Sequence, residues 1–372
     1  MPKLLLKFGI NLEARDTRFA LEHHGPQFHR WLPDGEKDAI LLDTGDPNAV
    51  LKVWFERRGF VRDGFIVYDR KRQEADSEII PKQAVLDAGP LRGLLEIQEI
   101  SAEEIMSLRE KKVGDAVYKA LGKKAIKLIY PQVSNFLNII RTNFGQYWVP
   151  ELEARDSRKR SVGNYCRFTL NMKWSLDEGK TWADFIADVE LGMISVTMAS
   201  DRSFREFISK EDWKEVAQQI REGYKPSGAA FILAKAYQLL DEGNLKYALI
   251  EGVSALELAL GEFIRQKLRN DKYLVDEIKA FWNLPSRSQL AAMAVGRDRI
   301  SLEQVKGSLE AVEMRNKVIH EGWNPPDDAK TKLSTLLETV AEFLAGPRFR
   351  FPPGNSGNAT KPVEIWEQQA QK

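Results

Sequence analysis

One cysteine, four histidines and no apolar run of membrane length are what this 372-residue chain has least of. Cys166 alone cannot form an intrachain disulfide, which fits a reducing compartment. A helix that crosses a bilayer needs about 20 consecutive apolar residues, and no stretch approaches that. The opening, MPKLLLKFGINLEARD, has a short apolar run without a small-residue cleavage site, and reads as a first strand rather than a signal peptide. The expectation is a cytoplasmic protein without a membrane partner. Net charge is missing as well. Lys+Arg 55 against Asp+Glu 54 means that attraction for a polyanion must be local. There is no GxxxxGK[ST] loop to cradle phosphates and no nucleophile elbow, so nucleotide hydrolysis and acyl transfer are poor readings. No internal repeat is visible.

What is present divides along the chain. Residues 1–100 hold runs rich in β-branched and aromatic residues (KLLLKFGINLE, DAILLDTGD, AVLKVWFERRGFVRDGFIVYD, LRGLLEIQEIS), separated by Gly, Pro and Asp, and predict strands. Residues 101–143 predict helices: Ser101 and Glu104 have capping-box spacing, and Pro131 predicts a kink or break. Strands resume over 164–198. The fold class expected is α+β: a β-rich domain over 1–200 with a helical insertion at about 101–143, a helical linker over 201–227, an all-α bundle over 228–346 and a flexible tail over 347–372. Helices are expected at about 229–241, 244–269, 272–282, 286–295, 301–321 and 328–345, each bounded by Gly, Pro, Asp or Ser.

The stretch 312–328, VEMRNKVIHEGWNPPDD, carries the functional question. Three histidines, His23, His24 and His29, lie near the N-terminus; His320 stands alone at the end of an amphipathic helix. Leu302, Val305, Leu309, Val312 and Ile319 step by three and four, as for a buried stripe. Asn316 falls where that series would place a hydrophobe. Arg315 and His320 flank it, about 140° apart on a regular helix, so they meet only if Arg315 curls round or the helix unwinds. Gly322 is placed to end the helix and Pro325-Pro326 forbids its continuation. A structural reading exists: Arg and His favour a helix C-terminus through the dipole, and one buried Asn can fix register. The helix KYALIEGVSALELALGEFIRQKL, however, is apolar nearly all round and contains Glu257. A buried carboxylate needs a cation or a donor, and Arg315 is the natural candidate.

With Arg315, Asn316 and His320 in a late helix of an α-helical bundle, and Glu257 on an earlier one, this third of the chain resembles the HEPN superfamily, the higher-eukaryote and prokaryote nucleotide-binding domains. Their motif is Arg, four to six residues, then His, often with Asn after the Arg. The resemblance covers about 228–346. It implies metal-independent RNA cleavage without a cofactor, in a homodimer that brings two Arg/His motifs together, as in prokaryotic toxins and antiphage effectors. The chemistry suits the residues. An imidazole that titrates near neutrality can take a proton from a ribose 2′-OH. A guanidinium can grip phosphate bidentately. Asn316 is one turn from His320 and could orient it. Inactive relatives that serve as dimerisation or RNA-binding modules are the alternative. A phage-derived or protein trigger would act on the N-terminal domain.

Other candidates are weaker. HHGPQFHRW reads as a turn between strands, because adjacent histidines on a strand point to opposite faces; no metal site is expected. SLDEGKTW, residues 175–182, matches the Asp-box of sialidase-like propellers once, where a propeller needs several copies. It supports a β-hairpin with its turn at 177–179. Arg155, Arg158, Lys159, Arg160 and Arg167, with Lys317 beside the motif, are candidate RNA-binding residues. Lys111, Lys112, Lys119, Lys123, Lys124 and Lys127 decorate the inserted helices. Tyr147, Trp148 and Tyr165 lie near the basic run and could stack on bases.

Overall fold

The computed structural model describes residues 3–10, 12, 15–16, 21–22, 25–29, 31–62, 65–67, 85–149, 151–156, 172–186, 189–194, 208–267 and 301–344. The expected helices at 272–282 and 286–295 and the tail lie outside them. Eight strands come first: β1 (Leu4–Ile10), β2 (Arg15–Asp16), β3 (Leu21–Glu22), β4 (Gln27–His29), β5 (Ile40–Leu42), β6 (Ala49–Arg62), β7 (Phe65–Val67) and β8 (Val85–Ile97). Two helices follow, α1 (Ala102–Arg109) and α2 (Ala116–Asn143), then β9 (Glu151–Asp156), β10 (Lys173–Ser175), β11 (Ala183–Asp184) and β12 (Val189–Ile194). The remaining described elements are helices: α3 (Lys210–Arg221), α4 (Gly228–Asp241), α5 (Leu245–Lys267), α6 (Leu302–Glu321) and α7 (Ala329–Leu344). The class is α+β.

The main sheet runs β11-β10-β1-β8-β6-β5, with β4 also on β8 and β7 also on β6; every strand pairing is antiparallel. Alternation decides its faces. Leu4, Leu6, Phe8 and Ile10 of β1, Leu51, Val53 and Phe55 of β6, and Leu91, Leu95 and Ile97 of β8 line the buried side. The register between β1 and β8 is locked from both sides. Phe8 faces Gly93 and lies so close that a Cβ there would fall 2.1 Å from its ring. One step on, on the opposite face, Arg92 lies over Gly9, where a Cβ would be 2.1 Å from Nη1. Arg92 is drawn toward Glu56 on β6, with Nε donating to Oε1 at 2.6 Å.

α2 covers the buried face. α1 enters it through the expected capping box: Ser101 Oγ accepts from Glu104 N–H, and the Glu104 carboxylate accepts from Ser101 N–H. Of the kink or break expected at Pro131, the break is absent: α2 is continuous for 28 residues. The carbonyl of Lys127, which a proline four residues on cannot serve, belongs to an exposed residue, as does Pro131 itself. Water can satisfy it. Beneath, Phe136 meets Phe55 at 5.8 Å between ring centroids.

α3 falls in the segment read as a linker, yet it packs on the sheet. Trp213 is buried among Phe28, Phe55 and Phe136, at 5.7, 5.8 and 6.0 Å. The stretch read as a turn, HHGPQFHRW, likewise contains a strand: β4 pairs with β8 and sends Phe28 into the same cluster. His29 lies on β4, and His23 and His24 are outside the described residues.

From Arg141, in the last turn of α2, to Val149 the chain stays buried and joins the sheet to the helices. Asn143 donates to Gln219 of α3 at 2.8 Å, Trp148 Nε1 to the Gly25 carbonyl at 3.1 Å, and Tyr147 Oη to Asp241 of α4 at 2.5 Å. Asn135 of α2 donates to the Tyr224 carbonyl at 3.0 Å. Arg141 is 1% exposed and pairs with Glu151 at 2.7 Å. Burial pushes the Glu151 carboxyl up, but the guanidinium outweighs it and holds the group below its ordinary value. Tyr147 and Trp148, expected as base-stacking platforms, are therefore core residues with no ring face to offer. No helix among the described residues is long and apolar enough to cross a membrane.

The hairpin β10–β11 closes over the Asp-box sequence, as its spacing predicts. Asp177 accepts from Ser175 Oγ, Thr181 Oγ and the Thr181 amide at 2.6, 2.6 and 3.0 Å. Those bonds, Ser175's first, hold its carboxyl well below the usual carboxylate range. A depressed carboxylate contributes stability above its unfolded value and loses it as pH falls toward the folded one. The Thr181 amide resonance should hold its position at neutral pH and move only below pH ~4, and Asp177→Asn should abolish that acid transition. Trp213→Ala should cost about 3–5 kcal/mol in urea unfolding, the range for emptying a buried aromatic site.

Candidate functional site

α6 begins where its local chemistry dictates. Ser301 Oγ accepts from Gln304 N–H, and the Gln304 side chain accepts from Ser301 N–H. It ends at Gly322, whose φ of 66° is the left-handed conformation that glycine takes without strain. Both Gly322 N–H and Trp323 N–H donate to the Lys317 carbonyl. The helix is regular to Glu321, so it does not unwind to bring Arg315 and His320 together.

Its buried stripe differs from the expected one. Ser308, Ala311 and Val318 are buried, while Leu309 and Val312 are half-buried and Ile319 is 50% exposed. Each buried position lies one residue before its expected counterpart, a rotation of about 100°. Small residues cause it. A Cβ on Gly307 would lie 2.8 Å from Thr335 Cγ2 of α7, so the Gly307-Ser308-Ala311 edge admits the close neighbour. Periodicity of the large apolar residues points elsewhere.

On the observed stripe, 308, 311, 315, 318, the polar intruder is Arg315 rather than Asn316. The Arg315 side chain is 21% exposed. Its Nη2 donates to Glu257 Oε1 at 2.8 Å and its Nη1 to Asn316 Oδ1 at 3.2 Å. The pairing expected between Glu257 and Arg315 is present. Two details are corrected. Glu257 is not sunk among helices: α5 leaves Tyr247, Glu257 and Leu258 at the surface, and the Glu257 side chain is 49% exposed. Asn316 is exposed and bonds Arg315, not His320.

His320 is exposed, and its side chain makes no hydrogen bond or ion pair among the described residues. Lys317, also exposed, sits between the two motif residues. Two apolar side chains flank the site: Leu258, 40% exposed, next to Glu257, and Ile319, one turn beyond Arg315. Ile319, expected on the buried stripe, lies outside it, and the seam of small residues is the signal in the sequence that places it there. Of the other expected RNA-binding residues, Arg155 lies on β9 opposite Glu190 of β12. Arg158, Lys159, Arg160, Tyr165 and Arg167 are outside the described residues. Among those described, no group of three His, Cys, Asp or Glu side chains is arranged to hold a metal ion.

Chemically, the arrangement presents an oriented guanidinium, with water on one side, and a free imidazole about 7.5 Å further along the axis. Glu257→Ala should cost under about 1 kcal/mol in denaturant unfolding, because both partners reach solvent. The same change should leave Arg315 mobile, which broadening of its Nε resonance would report. No family model, curated protein or solved structure matches the chain.

Proposed function

We propose that the chain is a metal-independent endoribonuclease of HEPN type, acting as a homodimer, with Arg315 and His320 as its catalytic residues and the N-terminal domain as its regulator. A toxin or antiphage effector is the role that fits such a design. The observation that carries the reading is the braced guanidinium. Glu257 and Asn316 fix Arg315 from two directions while leaving it partly open, and His320 stands free in solvent on the same helix. The exposed Leu258 and Ile319 add apolar area beside the pair, the composition expected where a second copy packs.

On this reading the imidazole takes the proton from the ribose 2′-OH. The 2′-oxygen attacks phosphorus, the P–O5′ bond breaks, and the 5′-oxygen leaves with a proton from a second imidazole or from water. The guanidinium offsets charge that grows on the non-bridging oxygens. One helix separates the two groups by 140°; a two-fold axis along α6 lets the guanidinium of one copy and the imidazole of the other share a phosphate.

A second reading is favoured by that same divergence. Within one copy α6 stays regular, and Glu257 already occupies part of the Arg315 fork, which suits a non-catalytic dimerisation or RNA-binding module. Cleavage of labelled RNA in EDTA separates the two. The catalytic reading expects 2′,3′-cyclic phosphate and 5′-hydroxyl ends, no cutting at a 2′-deoxy position, and a loss of about 10²–10⁴-fold in His320→Ala. A folded, dimeric protein that leaves RNA intact would establish the module instead.

A further inference from the structure

α2 contains no aspartate or glutamate in its 28 residues. Its apolar side is committed to the core through Leu121, Ala125, Ile129, Val133, Phe136 and Ile140. The other side carries Lys119, Lys123 and Lys127 in a row, with Lys124 beside it, and all four are exposed. Steps of four place successive ammonium groups on adjacent turns, about 6 Å apart along the axis. Like charges at that spacing work against a helix. None of the four has an ion-pair partner among the described residues, whereas Lys3, Lys37, Lys52, Lys112, Lys330 and Lys332 are each held by a carboxylate. Of the described acids just before the helix, Glu110 holds Lys112, and Asp115 at the N-cap accepts from Ser107. In a chain with 55 basic and 54 acidic residues, this row is a local excess.

We infer that the lysine face of α2 is a docking surface for an RNA strand, held by its phosphates and distinct from the helix that bears Arg315 and His320. A row of flexible point charges, one per turn, suits a chain of regularly spaced phosphates and carries no base readout. A bilayer is the poorer fit. A helix that lies on a membrane inserts the apolar residues beside its basic ones, and those of α2 are already buried under the sheet and the following helices. The choice of RNA rests on the ribonuclease reading; the polyanion site does not.

The test uses the full chain carrying His320→Ala, so that RNA is not consumed. Lys119→Gln, Lys123→Gln, Lys124→Gln and Lys127→Gln are combined and compared with a charge-matched set, Lys37→Gln, Lys210→Gln, Lys214→Gln and Lys330→Gln. Anisotropy of a labelled oligouridylate is read over a series of salt concentrations. The α2 set should bind at least about tenfold more weakly at low salt, with a log–log salt slope shallower by about 3, from roughly 0.7 per lost single-strand phosphate contact. The control set should keep both. Equal affinity and slope in the two sets would overturn the inference. So would a loss confined to phosphatidylglycerol vesicles, which would mark a membrane site instead. Should the α2 set fail to fold, Lys123→Gln with Lys127→Gln should remove about half the slope change. Failure of the parent protein to cut RNA refutes the proposed activity and leaves this binding result standing. Normal cutting with unchanged binding by the α2 set refutes only the docking surface.

Discussion

An antiparallel sheet that buries one face needs a cover, and here α2, which covers it together with α3, has to serve the helical body as well. α2 lays Phe136 on Phe55 at the sheet, its last residue, Asn143, ties to α3, and the chain directly after it ties to α4 through Tyr147. α4 packs on α5, and α5 on α6 and α7. The position of Arg315 relative to the sheet is thus set by the continuity of α2 through Pro131. That continuity is compatible with the exposure of both Pro131 and Lys127, the residue whose carbonyl the proline orphans. The same proline turned inward would leave a buried acceptor unpaired and end the helix.

The pair at the candidate site belongs to a different energetic class from the interior one. Arg141 is buried, so its carboxylate partner offsets a desolvation cost. Arg315 and Glu257 both reach solvent, where an ion pair contributes little to stability. What the surface pair does supply is direction. A guanidinium held by two acceptors from different sides, one on its own helix and one on a neighbour, keeps its orientation without being withdrawn from water. That suits a group meant to meet a ligand better than one meant to hold the fold.

The features legible in the sequence are those governed by chemistry within a few residues. The capping box at Ser101 and the Asp177 hairpin follow from side chains that bond their own backbone neighbourhood, and the αL stop at Gly322 from the freedom of glycine. The Arg315–Glu257 pairing is expected from the apolar run around Glu257; the pair forms, although Glu257 reaches solvent. Missed features depend on what lies opposite. Phe28 makes β4 a strand because β8 offers an edge and Trp213 a pocket. α3 is no linker, because Trp213 fits among the sheet's aromatics. α6 is rotated by one residue because Gly307, Ser308 and Ala311 let α7 in close, and hydrophobic periodicity gives small residues little weight. The aromatics Tyr147 and Trp148 read as a stacking surface from their basic neighbours, while their burial is fixed by partners, Asp241 and Gly25, roughly a hundred residues away in either direction.

The crossed lock between β1 and β8 has a consequence for how this sequence can change. Phe8 and Gly93 occupy one volume between them on the inner face, and Arg92 and Gly9 do so on the outer. On the inner face neither member can enlarge alone: a methyl at 93 is admissible only with a smaller ring-free side chain at 8. On the outer face Arg92 can swing aside, at the expense of its bond to Glu56. Related chains should therefore vary at 8 and 93 together, large opposite small in either order, while 9 and 92 drift more freely. The tightest covariation in the N-terminal half would then trace a steric exchange within the sheet and owe nothing to the site on α6.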